Sequence, residues 1–181
     1  MNLALNPLVK SLRCSLTGTQ YRPGDFDHPI GLCACCDRPG KPLTIEYDYD
    51  NIASFQTTRP GLWRYAPLLP VDQVPDSYGA DVGQTPLTYL DRLSDTLGLE
   101  LFAKHERCNP SGSFKDRGLA IGIALGHALG AKRFCLPTQG NAGVAAAMFS
   151  ARLQLPNALI YMPTTHRGTS YAQRAKQYGA E

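Results

Sequence analysis

Nowhere in the 181 residues does an apolar run approach the ~20 needed to cross a bilayer, so the sequence predicts no membrane partner. Basic stretches are equally scarce. The formal charge is only +3 and the longest basic run is Lys132-Arg133, whereas a nucleic-acid partner would leave a basic stripe. Charged residues make up 18% against 43% hydrophobic ones, which suits a globular chain and excludes a disordered one. No charged region precedes the short apolar stretch within Met1 to Lys10, so a secretory signal is not expected. The P-loop, Gly-x-Gly-x-x-Gly and Gly-x-Ser-x-Gly patterns are all missing, which removes the usual nucleotide-binding and serine-hydrolase signatures. Together with the cysteine pattern, these absences predict a cytoplasmic protein.

The six cysteines are unevenly spread, with Cys33, Cys35 and Cys36 bunched together, a pattern that fits metal binding or reduced thiols better than a disulfide framework. Cys14-x-x-Thr17 and Cys33-x-x-Cys36 are separated by fifteen residues, close to the layout of a four-cysteine zinc ribbon. Cys14, Cys33 and Cys36 are therefore candidate ligands of a structural zinc. Threonine is a poor zinc ligand, and Cys35, His28 or Asp37 would have to complete the site. The alternative is a degenerate ribbon held by an apolar core of Leu12, Leu32, Leu43 and Ile45. Residues 1–50 read as this ribbon-like module. Residues 51–82, rich in proline, tyrosine and arginine and without a clear period, read as an ordered connector that lays Trp63 and Tyr65 on a neighbouring surface.

The chemistry concentrates in Glu106-Arg-Cys-Asn-Pro-Ser-Gly-Ser-Phe-Lys-Asp-Arg-Gly118. An expected strand, Leu99 to Lys104, leads into a Pro/Gly turn, and an apolar helical pattern follows from Asp116 to Leu129. Ser113 stands where an N-cap belongs and Asp116 three residues later, which predicts a capping box. Lys115 then falls in the first turn, where an ammonium opposes the helix dipole by roughly 0.3–1 kcal/mol. Such a setting favours a lysine that works as a neutral amine. Gly118, Gly122, Gly126 and Gly130 recur every four residues along this helix. Each interior glycine costs roughly 1 kcal/mol, so close packing along that face is expected, with Gly130 as the C′ stop.

Asn109-Pro-Ser-Gly-Ser-Phe-Lys-Asp-Arg117 resembles the lysine motif of pyridoxal-phosphate enzymes of the tryptophan-synthase β fold (fold type II), most closely the threonine-synthase family. Gly83-Gln-Thr-Pro-Leu87 upstream and Thr138-Gln-Gly-Asn141 downstream follow in family order. The resemblance implies that Lys115 carries pyridoxal 5'-phosphate as a Schiff base and then acts as general base and acid. It implies that Asn141 hydrogen-bonds the cofactor ring oxygen, and that Thr138, Gln139, Gly140, Asn141 and Ala142 seat the substrate carboxylate. Gln139 departs from the small hydroxyl residue usual in that loop. The implied reaction is a lyase step of threonine biosynthesis, converting O-phospho-L-homoserine, an amino-acid phosphate ester, and water to L-threonine and phosphate. Phe114 and the cysteine-bearing N-terminus favour this reading over cysteine-synthase-type enzymes and threonine dehydratases. An inactive fragment or binding module is the remaining alternative.

Strands at Arg133–Pro137 and Ala158–Pro163 alternate with helices at 142–153 and 169–178, the spacing of parallel βαβ units with ligands at the carboxyl ends of the strands. The expected fold is therefore α/β: a parallel sheet with flanking helices behind a small cysteine-bearing module. Residues 83–181 would form the N-terminal part of a catalytic domain. The resemblance implies as much chain again, with a phosphate-gripping glycine loop, so a homodimer or a C-terminal half is the expected partner, and uncovered apolar faces are expected here.

Overall fold

The computed structural model describes residues 4–22, 33–36, 40–52, 58–72 and 74–181. After β1 (Ala4–Leu5), the N-terminal module is a small antiparallel sheet. Its central strand β2 (Val9–Cys14) lies between β3 (Gln20–Tyr21) and β4 (Leu43–Tyr47), with an irregularity between Val9 and Ser11. Leu12, Leu43 and Ile45 are only half-buried, and Leu32 lies outside the described residues. The three described members of the alternative aliphatic core are thus not fully enclosed. Among the described residues the buried side chains of the module are Asn6, Val9, Cys14 and Cys33, so thiols supply half of its interior.

The aperiodic stretch that follows is more than a connector laid on a surface. A 3-10 run, Gly61–Leu68, leads to β5 (Val71–Asp72), which pairs antiparallel with β1, and to the short helix α1 (Asp76–Gly79). Trp63 and Tyr78 are buried, whereas Tyr65 is exposed. The Trp63 indole donates to the carbonyl of Gly79 at 2.7 Å, and the Tyr78 hydroxyl donates to the carbonyl of Ala120 at 2.7 Å. Both polar tips are satisfied, so the rings can lie in the interior at little cost.

β6 (Leu87–Tyr89), α2 (Asp91–Leu97) and β7 (Phe102–Lys104) form the next unit. Gly98, at φ 64°, ends α2 in the left-handed region, and β6 pairs antiparallel with β7. Then come α3 (Lys115–Ala128), β8 (Cys135–Pro137), α4 (Asn141–Arg152), β9 (Leu159–Tyr161) and α5 (Ser170–Gln177). The parallel expectation holds for β8 and β9, paired Cys135 to Leu159 and Pro137 to Tyr161 across the α4 crossover. It does not extend to β7, which among the described residues pairs only with β6. Glu181 begins to line the free side of β9: Ile160 N–H donates to its carbonyl at 2.9 Å, and its own N–H donates to Ala158 at 3.0 Å. That alternation is the parallel ladder pattern.

The main core joins α3 and α4 to the 61–82 stretch. Ala120, Ile123 and Ala124 of α3 meet Ala145, Ala146, Met148 and Phe149 of α4, and the Tyr78 ring packs against Phe149 at 5.3 Å, tilted by 56°. Alanine on both helices lets them approach closely. The glycine face of α3 behaves differently from the expectation. Only at Gly126 is a neighbour tight, where a Cβ would stand 2.6 Å from Phe134; at Gly118, Gly122 and Gly130 it would meet nothing. Gly130 does stop the helix, at φ 93°. Leu87, Phe102, Phe114 and Tyr161 are each more than half exposed.

Candidate active site

The loop before Lys115 is set by buried polar contacts. Asn109, Ser111, Ser113 and Asp116 are all buried. Gly112 donates to the carbonyl of Asn109 at 2.7 Å and holds φ 79°, which a side chain would resist. The capping box is corrected here. The Asp116 carboxylate accepts the Ser111 N–H at 2.6 Å and the Ser111 hydroxyl, while Ser113 Oγ accepts from the Lys115 N–H at 3.1 Å. The turn through Pro110 and Gly112 swings Ser111 beneath Asp116, so the carboxylate closes the loop rather than the cap. Burial pushes the Asp116 carboxyl up, against the two Ser111 donors that pull it down. Lys115 is consequently the first residue of α3, half-buried, with its ammonium 4.2 Å from the centre of the exposed Phe114 ring.

The Gly83-Gln-Thr-Pro turn is bolted to this loop, a link that sequence reasoning missed. Arg117, two residues beyond Lys115, grips Glu106 with two parallel bonds of 2.7 and 2.8 Å. The same guanidinium donates to the carbonyl of Gly83 at 3.3 Å, and Asn109 Oδ1 accepts the Gly83 N–H at 2.9 Å. A Cβ on Gly83 would fall 2.6 Å from Arg117, and its φ is 81°, so glycine there is a packing requirement. Arg117 and Asn109 hold Glu106 well below the usual carboxylate range, down to about 2.

This pKa has a testable consequence. A carboxyl with a folded-state pKa depressed from 4.5 contributes stability that is complete above that value and fades as pH falls toward about 2. Melting curves collected from pH 7 down to pH 3 (roughly the span of that carboxylate titration) should show a steeper acid loss for the native chain than for Glu106→Gln, which should start less stable at neutral pH. Equal acid slopes would remove this bridge from the account.

Thr138, Gln139, Gly140, Asn141 and Ala142 form the turn from β8 into α4, with Asn141 as the first helical residue. Gln139 is exposed; Thr138, Gly140, Asn141 and Ala142 are half-buried. Gly140 N–H donates to Thr138 Oγ1 at 3.2 Å, which leaves the hydroxyl hydrogen of Thr138 free to point elsewhere. First-turn N–H groups of a helix lack intrahelical acceptors, so the start of α4 can receive an anion. Gly140 also has a steric role, because a Cβ there would stand 3.2 Å from the Tyr171 ring. Two loops meet at α5: Tyr171 covers Gly140, and Arg174, three residues on and on the same face, donates to the carbonyl of Ser111 at 2.6 Å. One helix face therefore touches both the lysine loop and the α4 loop. No sequence pattern pointed to this, since neither residue stands in a motif.

Of the candidate metal ligands, Cys14, Cys33 and Cys36 have their sulfur atoms within 4.8 Å of one another. His28 and Asp37 lie outside the described residues. Among the described residues no helix is long and apolar enough to cross a membrane.

A model of the pyridoxal-phosphate dependent enzyme family matches residues 79–181, and the chain belongs to that family. Its relatives narrow the resemblance. It is 33% identical to threonine synthase of Methanosarcina acetivorans over 175 residues, 94% of this chain and 41% of that protein. It is 32% identical to threonine synthase of Methanocaldococcus jannaschii, over 93% of this chain and 42% of that protein. It is also 34% identical over 97 residues to the L-serine dehydratase/L-threonine deaminase of Bos taurus, covering 54% of this chain and 29% of that enzyme. The chain thus spans about two fifths of the length of the threonine synthases it matches.

Proposed function

We propose that this chain is the lysine- and carboxylate-binding part of a threonine synthase, acting on O-phospho-L-homoserine and water to give L-threonine and phosphate. The observation that carries the reading is the extent of the match. Likeness to threonine synthases runs over 94% of the chain, cysteine-bearing module included, while likeness to the deaminase covers only 54%.

The residues present fit pyridoxal phosphate. Lys115 offers a half-exposed primary amine that takes part in none of the ion pairs among the described residues. Asn141 and the start of α4 offer an amide and unpaired N–H donors. When bound, the cofactor supplies an electron sink that acidifies the substrate carbons near it. Lys115 Nζ would hold the cofactor, then accept and return protons at the substrate carbons. Asn141 would hydrogen-bond the ring oxygen. Thr138, through its free hydroxyl hydrogen, and the Gly140–Ala142 turn would seat the carboxylate. Phosphate leaves from Cγ and water adds at Cβ.

The second reading, a serine or threonine deaminase, is favoured by the Bos taurus match. Product analysis separates the two. Polypeptide containing this chain, given the cofactor and O-phospho-L-homoserine, should release phosphate and threonine in equal amounts. Ammonia and a 2-oxo acid from serine or threonine, without phosphate release from the ester, would establish the deaminase instead.

A further inference from the structure

We propose that Cys14, Cys33, Cys35 and Cys36 form a four-thiolate site for a zinc ion, with Cys35 taking the corner that Thr17 cannot fill. The argument begins with burial. At 50 residues the module lies near the size, about 40 residues, below which a metal, a disulfide or a partner is usually needed. Here the aliphatic side chains Leu12, Leu43 and Ile45 stay half-buried, while Cys14 is 1% exposed and Cys33 is 3% exposed. All four thiols are free.

The sulfur positions agree with a shared ion. Cys14, Cys33 and Cys36 lie within 4.8 Å of one another, with Cys14 and Cys36 3.6 Å apart. Zinc–sulfur bonds of ~2.3 Å in a tetrahedron place sulfurs ~3.8 Å apart, so the cluster needs little adjustment. Cys14 ends β2 at a tight turn, in which Gly18 takes φ 72° and the Thr17 N–H donates to Cys14 Sγ at 3.4 Å. An amide aimed at sulfur is the support a metal-bound thiolate requires.

The fourth corner identifies Cys35. Thr17 occupies the position that the Cys-x-x-Cys spacing would give to a thiol, and a neutral hydroxyl is a weak zinc donor. Cys35 Sγ lies 3.4 Å from Thr17 Oγ1 and 2.8 Å from Cys33 Sγ but outside the 4.8 Å group of the other three sulfurs, so its thiol must turn inward to take the fourth corner. Tyr21, whose hydroxyl is 3.0 Å from Cys33 Sγ, stands at the outer side of the cluster. Four soft thiolates select zinc over magnesium or calcium, and binding displaces the thiol protons to solvent.

Zinc content by mass spectrometry of the purified chain should be one ion per chain. Cobalt(II) substitution should give the visible spectrum of tetrahedral sulfur coordination. Cys35→Ser should lower the sulfur-to-cobalt absorption by about a quarter and weaken zinc retention against a chelator by roughly tenfold or more. Adding Thr17→Cys to that variant should restore both. A readout independent of any variant is alkylation of the zinc-loaded chain. Cys108 and Cys135, both exposed, should react, and Cys14, Cys33, Cys35 and Cys36 should be protected. Absence of zinc from the native chain, a Cys35→Ser spectrum unchanged from the native one, or Cys35 alkylated as fast as Cys108 would each overturn the proposal.

Discussion

Lys115→Ala should abolish borohydride-fixed attachment of pyridoxal phosphate, read as the loss of the cofactor-modified peptide spanning Lys115 in a mass map. Turnover in a polypeptide containing this chain should fall by roughly 10²–10⁴-fold, the usual scale for removing a positioned acid–base group. Lys115→Arg should fare no better, because it keeps the charge at the first turn of α3 but has no amine that can condense. The neighbour that could mislead such an experiment is Lys104. Its ammonium donates to the carbonyl of Thr85, which ties it into the Gly83-Gln-Thr-Pro turn, and it should remain unmodified. Attachment that persists in Lys115→Ala, or that maps to Lys104, would disprove the assignment.

Tyr78→Ala should destabilise the chain by about 3–5 kcal/mol, the range for deleting a large buried ring. Tyr78 is fully buried between the two helices that carry Lys115 and Asn141, against Phe149 of α4 and hydrogen-bonded to Ala120 of α3. Arg152 of α4 adds a third tie, donating to the Tyr78 carbonyl at 2.9 Å while clasping Asp81 at 2.8 and 2.9 Å. Tyr78→Phe separates the ring from its hydroxyl. It leaves the packing and removes one hydrogen bond, while the Ala120 carbonyl keeps its place in the α3 ladder, and should cost about 0.5–1.5 kcal/mol. Denaturant titration of both variants measures the two contributions. If Tyr78→Ala costs no more than an exposed substitution, residues 61–82 are not part of the core.

Much of the local structure was legible because it is local. The switch from strand to helix at Lys104 to Lys115, the β8–α4–β9 crossover and the Gly130 stop follow from periodicity and from glycine at φ 93°, and each is present. The misreadings share one physical origin, which is competition between partners far apart in sequence or across a turn. Asp116 had Ser113 at the capping-box distance, yet the buried Ser111 donors offered it two bonds once Gly112 had turned the chain. The glycine repeat of α3 suggested one continuous contact, but only Phe134 reaches it, at Gly126. Trp63 and Tyr78 lie in a 3-10 run and a single helical turn, which carry no period by which burial could be read. The sheet was equally opaque at β7, since pairing with β6 rather than β8 depends on strand register that no residue in β7 declares. Arg117 orients its loop by a route through Glu106 and Gly83 that joins two motifs about thirty residues apart in sequence, and no local pattern announces such a tie.

The face of α5 that carries Tyr171 and Arg174 has a kinematic consequence. Tyr171 rests on the Gly140 turn and Arg174 holds the Ser111 carbonyl, so two loops that are separate in sequence share one rigid strut. Rotation or withdrawal of α5 would release both together, and neither loop can shift far without dragging the helix. Where the fold provides two gripping surfaces, this strut couples the position of one to that of the other.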